Sequence, residues 1–149
     1  MNTRMSFPGA VALLLACSAF GDTQVKMEDL PDAVQRTVRE QSQGGSIRGL
    51  AKEVENGKTF YEAELKMNGR NRDVLIDPAG KVVEIEEEVA LDSLPAAARA
   101  GLEKQVGKGK IAGVESITKD NAIVAYEAKI KKSGKTSEVK VGLDGSVIK

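Results

Sequence analysis

The chain has 149 residues, of which 41% are hydrophobic and 30% charged, a composition typical of a folded protein with one domain or two small ones. It contains no histidine and a single cysteine, which excludes the commonest general base, an internal disulfide and a zinc site built from several imidazoles or thiols. The 22 basic and 22 acidic residues balance, so the charge does not favour nucleic acid or an anionic membrane as a partner. We therefore expect no enzyme and no cofactor.

Residues 1–21 have the pattern of a secretory signal peptide. Arg4 provides a positive start, residues 9–19 are almost wholly apolar, and Ala19-Phe20-Gly21 offers the small residues that a signal peptidase reads. The apolar run is too short to span a bilayer as a stable helix. Cleavage after Gly21 would leave the chain free in a bacterial periplasm or in the medium.

A second route of processing stays open. Leu14-Leu15-Ala16-Cys17 resembles a bacterial lipobox, in which Cys17 would carry the lipid. Both routes export the chain, and they differ in whether the mature protein is free or tethered to a membrane.

The rest of the chain repeats itself. Leu30-Pro31-Asp32-Ala33 recurs as Leu94-Pro95-Ala96-Ala97, and Tyr61-Glu62-Ala63 recurs as Tyr126-Glu127-Ala128. Matching valines and glycines follow at nearly the same spacing in both stretches. Because order and spacing hold along the whole stretch, we predict two diverged copies of one unit.

We place the two units at residues 27–88 and 89–149. Each begins with a helix, because Pro31 and Pro95 suit the first helical position. Alternating strands follow, joined by turns such as Asn56-Gly57. Each apolar sheet face needs a helix over it, since a sheet wet on both sides buries too little area. The predicted fold class is α+β, with two tandem repeats, each a helix packed on a roughly four-stranded antiparallel sheet.

Strand alternation predicts which residues lie under each helix. In the first unit we expect Tyr61, Leu65, Val74 and Ile76 to form the core, and in the second Tyr126, Ile130, Val139 and Val141.

The order of these motifs resembles the PepSY-like family, and more closely its tandem form related to the β-lactamase inhibitor protein. The resemblance covers residues 27–149 and consists of the Leu-Pro helix start, the Tyr-Glu-Ala strand, a Gly-centred hairpin and an Asp-Gly type of turn before a Val-rich last strand. It implies an exported, non-catalytic binding module. Several family members bind or restrain other proteins, peptidases among them, and the inhibitor uses the exposed faces of its sheets. This chain differs from the inhibitor in lacking disulfides and most aromatic residues.

We predict that an unknown protein of the cell envelope binds the sheet face opposite the helices. Phe60 and Leu75 interrupt otherwise polar rows of that face and are the predicted anchors, with charged residues as a rim. The alternative is that a loop, or the connector after Glu88, covers these two residues. The predicted partner-binding residues are Phe60, Glu62, Glu64, Lys66, Asp73, Leu75, Glu127, Lys129, Lys131, Glu138 and Lys140.

Charge is divided unequally between the units. Residues 22–88 contain 15 acids and 10 bases, a net charge of −5, whereas residues 89–149 contain 7 acids and 11 bases, a net charge of +4. Opposite fields of this kind would favour side-by-side docking of the units or would orient a partner. The alternative is a simple divergence of solvated faces.

The remaining acidic residues do not have the spacing of a metal site or of a catalytic pair. The run Glu84, Glu86, Glu87 and Glu88 does not have the ligand spacing of an EF-hand, so we predict no metal site. Glu62 and Glu127 belong to different units instead of one cleft, so we predict no catalytic residues. The alternative function is that of a binder of a small ligand or metal ion, or of a stress-related envelope scaffold.

Overall fold

The structure, a computed structural model, describes residues 23–149. The predicted signal peptide and the lipobox with Cys17 lie outside the described residues. The described helices and strands are β1 (Thr23–Gln24), α1 (Asp32–Gln41), β2 (Gly45–Glu55), β3 (Lys58–Met67), β4 (Arg70–Ile76), β5 (Val82–Glu88), α2 (Ala96–Val106), β6 (Lys110–Lys119), β7 (Ala122–Lys132), β8 (Lys135–Gly142) and β9 (Val147–Ile148), with one-turn 3-10 helices at Met27–Asp29 and Leu91–Ser93.

All the described strands form one antiparallel sheet, in the order in which they follow one another along the chain. The two halves join edge to edge, because β5 pairs with β6 from Ile85 opposite Thr118 to Glu88 opposite Glu115. The predicted pair of repeats, each with its own roughly four-stranded sheet, is therefore wrong. Over residues 23–149 the fold is α+β but is dominated by a single nine-stranded sheet. Joining the halves pairs backbone groups that two separate sheets would leave as open edges.

Both helices begin directly after a proline. Pro31 and Pro95 occupy the cap position, one residue before the position that the sequence predicted. The carbonyl oxygen of Pro31 accepts a hydrogen bond from Gln35 N at 2.9 Å, and that of Pro95 from Arg99 N at 3.0 Å. These contacts start the hydrogen-bond ladder of each helix.

The two helices cover the same face of the sheet. Leu65, Arg72, Glu87, Ser116 and Tyr126 are successive register partners from β3 to β7, so their side chains share one face. Leu65 belongs to the core under α1, and Tyr126 belongs to the core under α2. The predicted core residues lie on this face, where Tyr61 and Val139 are half-buried and the other six are buried.

A turn that contains glycine lies directly against each helix. Gly80 and Gly145 have φ values of +85° and +80°, which glycine adopts without strain. A Cβ atom at either glycine would collide with a helix carbonyl oxygen, that of Ala33 or that of Ala97. Thr37 Oγ1 also donates a hydrogen bond of 2.6 Å to the Gly80 carbonyl oxygen. These close approaches explain the matching glycines before the last strand of each half.

Within residues 23–149, no helix has the length and apolar character that crossing a membrane requires.

Candidate functional site

The sheet face opposite α1 and α2 is named the open face, because no described helix packs on it. Its residues alternate along each strand with those of the core. The register places all eleven predicted site residues there, for example Glu64 opposite Asp73 on β3 and β4, and Lys129 opposite Glu138 on β7 and β8. Their role in binding stays a prediction.

The two predicted anchors are buried in this face. Phe60 is 8% exposed and Leu75 is 4% exposed. Phe60 lies opposite Glu53, and Leu75 lies between Glu62 and Glu84 in the register. The side chains available to a partner are therefore the charged neighbours, and Phe60 and Leu75 form part of the packing beneath them.

Four carboxyl groups crowd together on β3, β4 and β5. Glu64, Asp73 and Glu86 lie directly opposite one another across the three strands, and Glu62 lies one step along the same face. We call these four residues the acidic block. None of them forms an ion pair with a basic side chain of residues 23–149. Like charges directly opposite each other destabilise a sheet, and attraction of Asp73 to Lys129 and of Glu86 to Lys140 offsets only part of this cost.

Burial and repulsion shift the protonation of the acidic block. Burial, followed by a hydrogen bond and repulsion from Glu53, raises the pKa of Glu62 from 4.5 to about 9. Burial, followed by repulsion from Glu127, Glu84 and Glu115, raises the pKa of Glu86 from 4.5 to about 8. The pKa of Asp73 rises from 3.8 to about 6 for the same kind of reason. The isolated protein therefore holds protons on this face at neutral pH.

On the open face of the second half, acidic and basic side chains form ion pairs with each other. Lys129 Nζ lies 3.2 Å from Glu115 Oε1, and Lys140 Nζ lies 3.4 Å from Glu127 Oε2. Burial lowers the pKa of Lys129, but attraction to Glu115 outweighs it and the net shift is upward. The open face therefore has an acidic region in the first half of the chain and a region of paired acidic and basic side chains in the second half.

A pocket of about 580 Å³ lies at one end of the open face. This is the sheet end at which the turns after β2, β4 and β6 meet. Its lining includes Lys58, Phe60, Pro78, Glu84 and Lys119. Lys119 Nζ lies 2.6 Å from Glu84 Oε2, and the Glu84 side chain is 1% exposed.

Sequence reasoning missed this pocket. Glu84 stood out only as part of an acidic run, and the alternation of Glu84, Glu86 and Glu88 was the one available sign that they share a face. Lys119 reaches Glu84 only because β6 continues the sheet beyond β5. In the part of the chain that the structure describes, no group of three or more acidic, histidine or cysteine side chains is arranged to hold a metal ion.

Comparison with known proteins identifies the fold. No protein-family model matches the chain, and no curated protein matches it. Solved structures with the same fold include a candidate periplasmic protein from Bacteroides eggerthii, with 19% identity, a TM-score of 0.64, and coverage of 80% of this chain and 86% of that one. A DUF2874 family protein from Bacteroides uniformis has 16% identity, a TM-score of 0.62, and coverage of 80% and 86%. A BLIP-like protein from Bacteroides fragilis has 17% identity, a TM-score of 0.57, and coverage of 80% and 84%.

The class that these structures define is a sheet-dominated fold shared by DUF2874 proteins and a BLIP-like protein. At these identities the likeness establishes the fold and nothing more. It agrees with the inhibitor-related part of the resemblance seen in the sequence, whereas membership of the PepSY-like family is not confirmed.

Proposed function

We propose that this chain is an exported, non-catalytic module that binds a protein of the cell envelope or a secreted protein through its open face. The observation that carries the proposal is the acidic block, a set of carboxyl groups without an ion pair among residues 23–149, on a sheet face without a described helix over it.

The acidic block favours a partner with a basic surface. Its carboxyl groups are held near one another by strand register, so the sheet cannot separate them to relieve their repulsion. Lysine and arginine side chains of a partner would favour the ionised form of these carboxyl groups, so binding would release the protons that burial and repulsion hold on Glu62 and Glu86. A basic partner pairs with the carboxyl groups that ionise, which gives it an advantage over a neutral or acidic one.

Structures with the same fold support the proposal of an exported binding module. One neighbour is named BLIP-like and another is described as a candidate periplasmic protein. Export agrees with the signal peptide pattern of residues 1–21. We further propose that binding restrains or inhibits the partner, with a peptidase as one candidate, as the resemblance to inhibitor-related proteins implies.

Site-specific photocrosslinking tests this proposal. A photoreactive amino acid replaces Lys66, on the open face, or Arg36, an exposed base on α1 that serves as the matched control. Cells producing either variant are irradiated, and crosslinked proteins are identified by mass spectrometry. We expect one exported protein to be crosslinked from position 66 and not from position 36, through a segment that contains lysine or arginine. Equal crosslinking from both positions, or crosslinking only from position 36, would rule out the open face.

A further inference from the structure

The pocket at the end of the open face contains a buried acid, Glu84, whose two carboxylate oxygens accept no hydrogen bond from residues 23–149. Lys119 approaches Glu84 at Oε2, at 2.6 Å. Glu84 Oε1 has no hydrogen-bond donor among residues 23–149, although its side chain is only 1% exposed. A buried carboxylate oxygen without a donor is unusual in a folded protein, because it has lost water and gained nothing in return.

The pocket wall has a polar part, formed by Lys58, Thr59, Asp77, Glu84 and Lys119, and an apolar part. Phe60, Pro78 and Val83 line it beside Glu84. Asp77, the other acid of the lining, is already engaged, since its Oδ1 accepts hydrogen bonds from Ala79 N at 3.0 Å and Lys81 N at 2.9 Å. The pocket therefore sets an apolar wall beside the enclosed carboxylate of Glu84, of which Oε2 faces Lys119 Nζ and Oε1 has no partner among residues 23–149.

This combination matches a long basic side chain. Lysine and arginine have an aliphatic stem that packs on apolar surface and a cationic head with several donors. Lys119 already places such a stem and head against Glu84 from within the chain. A purely apolar group would fill the pocket but would leave Glu84 Oε1 without a hydrogen-bond donor.

We propose that the pocket binds one lysine or arginine side chain of the partner, with its stem against Phe60 and Pro78 and its cationic head at Glu84 Oε1. The inference rests on the proposed function, because it names a contact that the basic partner makes at one end of the open face. It adds a specific anchor to a surface whose other contacts act through charge.

Short peptides test the pocket without the partner. The mature protein is titrated with acetyl-Gly-Arg-Gly-amide and acetyl-Gly-Lys-Gly-amide, and with the citrulline and norleucine peptides as neutral counterparts. Binding is followed from the NMR signals of the amides of Phe60 and Glu84. We expect at least one basic peptide to bind about tenfold or more tightly than both neutral ones, because a charge-assisted hydrogen bond replaces an unmade one. The arginine and lysine arms show which head group the pocket prefers.

Variants assign the effect to Glu84. Glu84→Gln removes the charge with little change of shape, and we expect it to weaken the preferred basic peptide about tenfold or more. Glu40→Gln removes an exposed charge on α1, on the other side of the sheet, and should change binding by less than about twofold, because Glu40 does not line the pocket. Lys119→Gln keeps Glu84 and removes the competing ammonium group, so it should strengthen binding. This last variant decides the question even if Glu84→Gln does not fold.

The inference is overturned if the citrulline or norleucine peptide binds as tightly as the basic ones, if no peptide binds, or if a folded Glu84→Gln protein binds as tightly as the unaltered one. Its failure differs from failure of the proposed function. A partner crosslinked from position 66 without peptide binding would leave the open face in place and remove the pocket. Peptide binding without a crosslinked partner would support the pocket as a site for a basic side chain and would count against the proposed partner at the open face.

Discussion

Replacing Glu86 by glutamine should flatten the dependence of stability on pH. Glu86 lies between Asp73 and Ile117 in the register, and burial with repulsion from nearby acids raises its pKa to about 8. The unfolded chain would release this proton at the ordinary pKa of 4.5. The folded protein thus binds more protons than the unfolded chain between these two values, so its stability falls as pH rises from about 5 to about 8.

The size of the effect follows from proton linkage. One proton held only by the folded state changes the free energy of unfolding by about 1.4 kcal/mol per pH unit, or about 2 kcal/mol between pH 6.0 and 7.5. Glu86 is only half-buried and has several charged neighbours, so solvent screening reduces the change to about 1 kcal/mol. Glutamine has no proton to release, and the variant should lose that part of the pH dependence. It should also be more stable than the unaltered protein at pH 7.5.

Urea unfolding followed by circular dichroism measures this difference. The unaltered protein, Glu86→Gln and the control Glu28→Gln are unfolded at pH 6.0 and at pH 7.5. Glu28 is exposed and lies in a 3-10 turn away from the open face, so its variant should keep the full pH dependence. If Glu86→Gln and Glu28→Gln showed the same slope as the unaltered protein, Glu86 would ionise normally and the acidic block would not be strained.

Three further predictions concern the core, a turn and export. Leu65→Ala should lower the free energy of unfolding by about 2–5 kcal/mol, because Leu65 is 1% exposed, and a loss under about 0.5 kcal/mol in urea unfolding would contradict this packing. Gly145→Ala should lower the melting temperature more than Gly134→Ala does: both glycines have positive φ, but only a Cβ atom at Gly145 meets α2, and equal shifts would refute the account of that turn. Mass spectrometry of the protein from its native host should find a chain that begins at Asp22 or at a lipidated Cys17, and an intact Met1 would refute export.

Local patterns predicted the faces of the strands. Alternation along β3 separated Leu65 from Glu64 correctly, because side chains of a strand point to opposite faces whatever the strand pairs with. The same pattern gives the face of Phe60 and Leu75 but not their exposure. Exposure depends on neighbours across the sheet, and here Glu53, Glu62 and Glu84 flank them in the register.

The pairing of β5 with β6 could not be predicted from the sequence. β5 ends at Glu88 and β6 begins at Lys110, and a 3-10 turn and α2 lie between them. No turn signal links two strands so far apart, so the sequence could not distinguish one sheet from two. The pocket depends on this pairing, and also on the register shift at Leu75 and Ile76 opposite β5. Glu84 and Lys119 were therefore visible as charges but not as a pair.

The affinity of the crosslinked partner for charge-reversed variants tests the central claim most directly. Glu64→Lys reverses an exposed charge of the acidic block, and Glu40→Lys reverses an exposed charge on α1, on the other side of the sheet. With the purified partner, we expect Glu64→Lys to weaken binding by about tenfold or more, mainly by slowing association and most strongly at low salt, while Glu40→Lys changes it by less than about twofold. Equal affinities for the two variants, or a larger loss with Glu40→Lys, would contradict a partner-binding role for the open face.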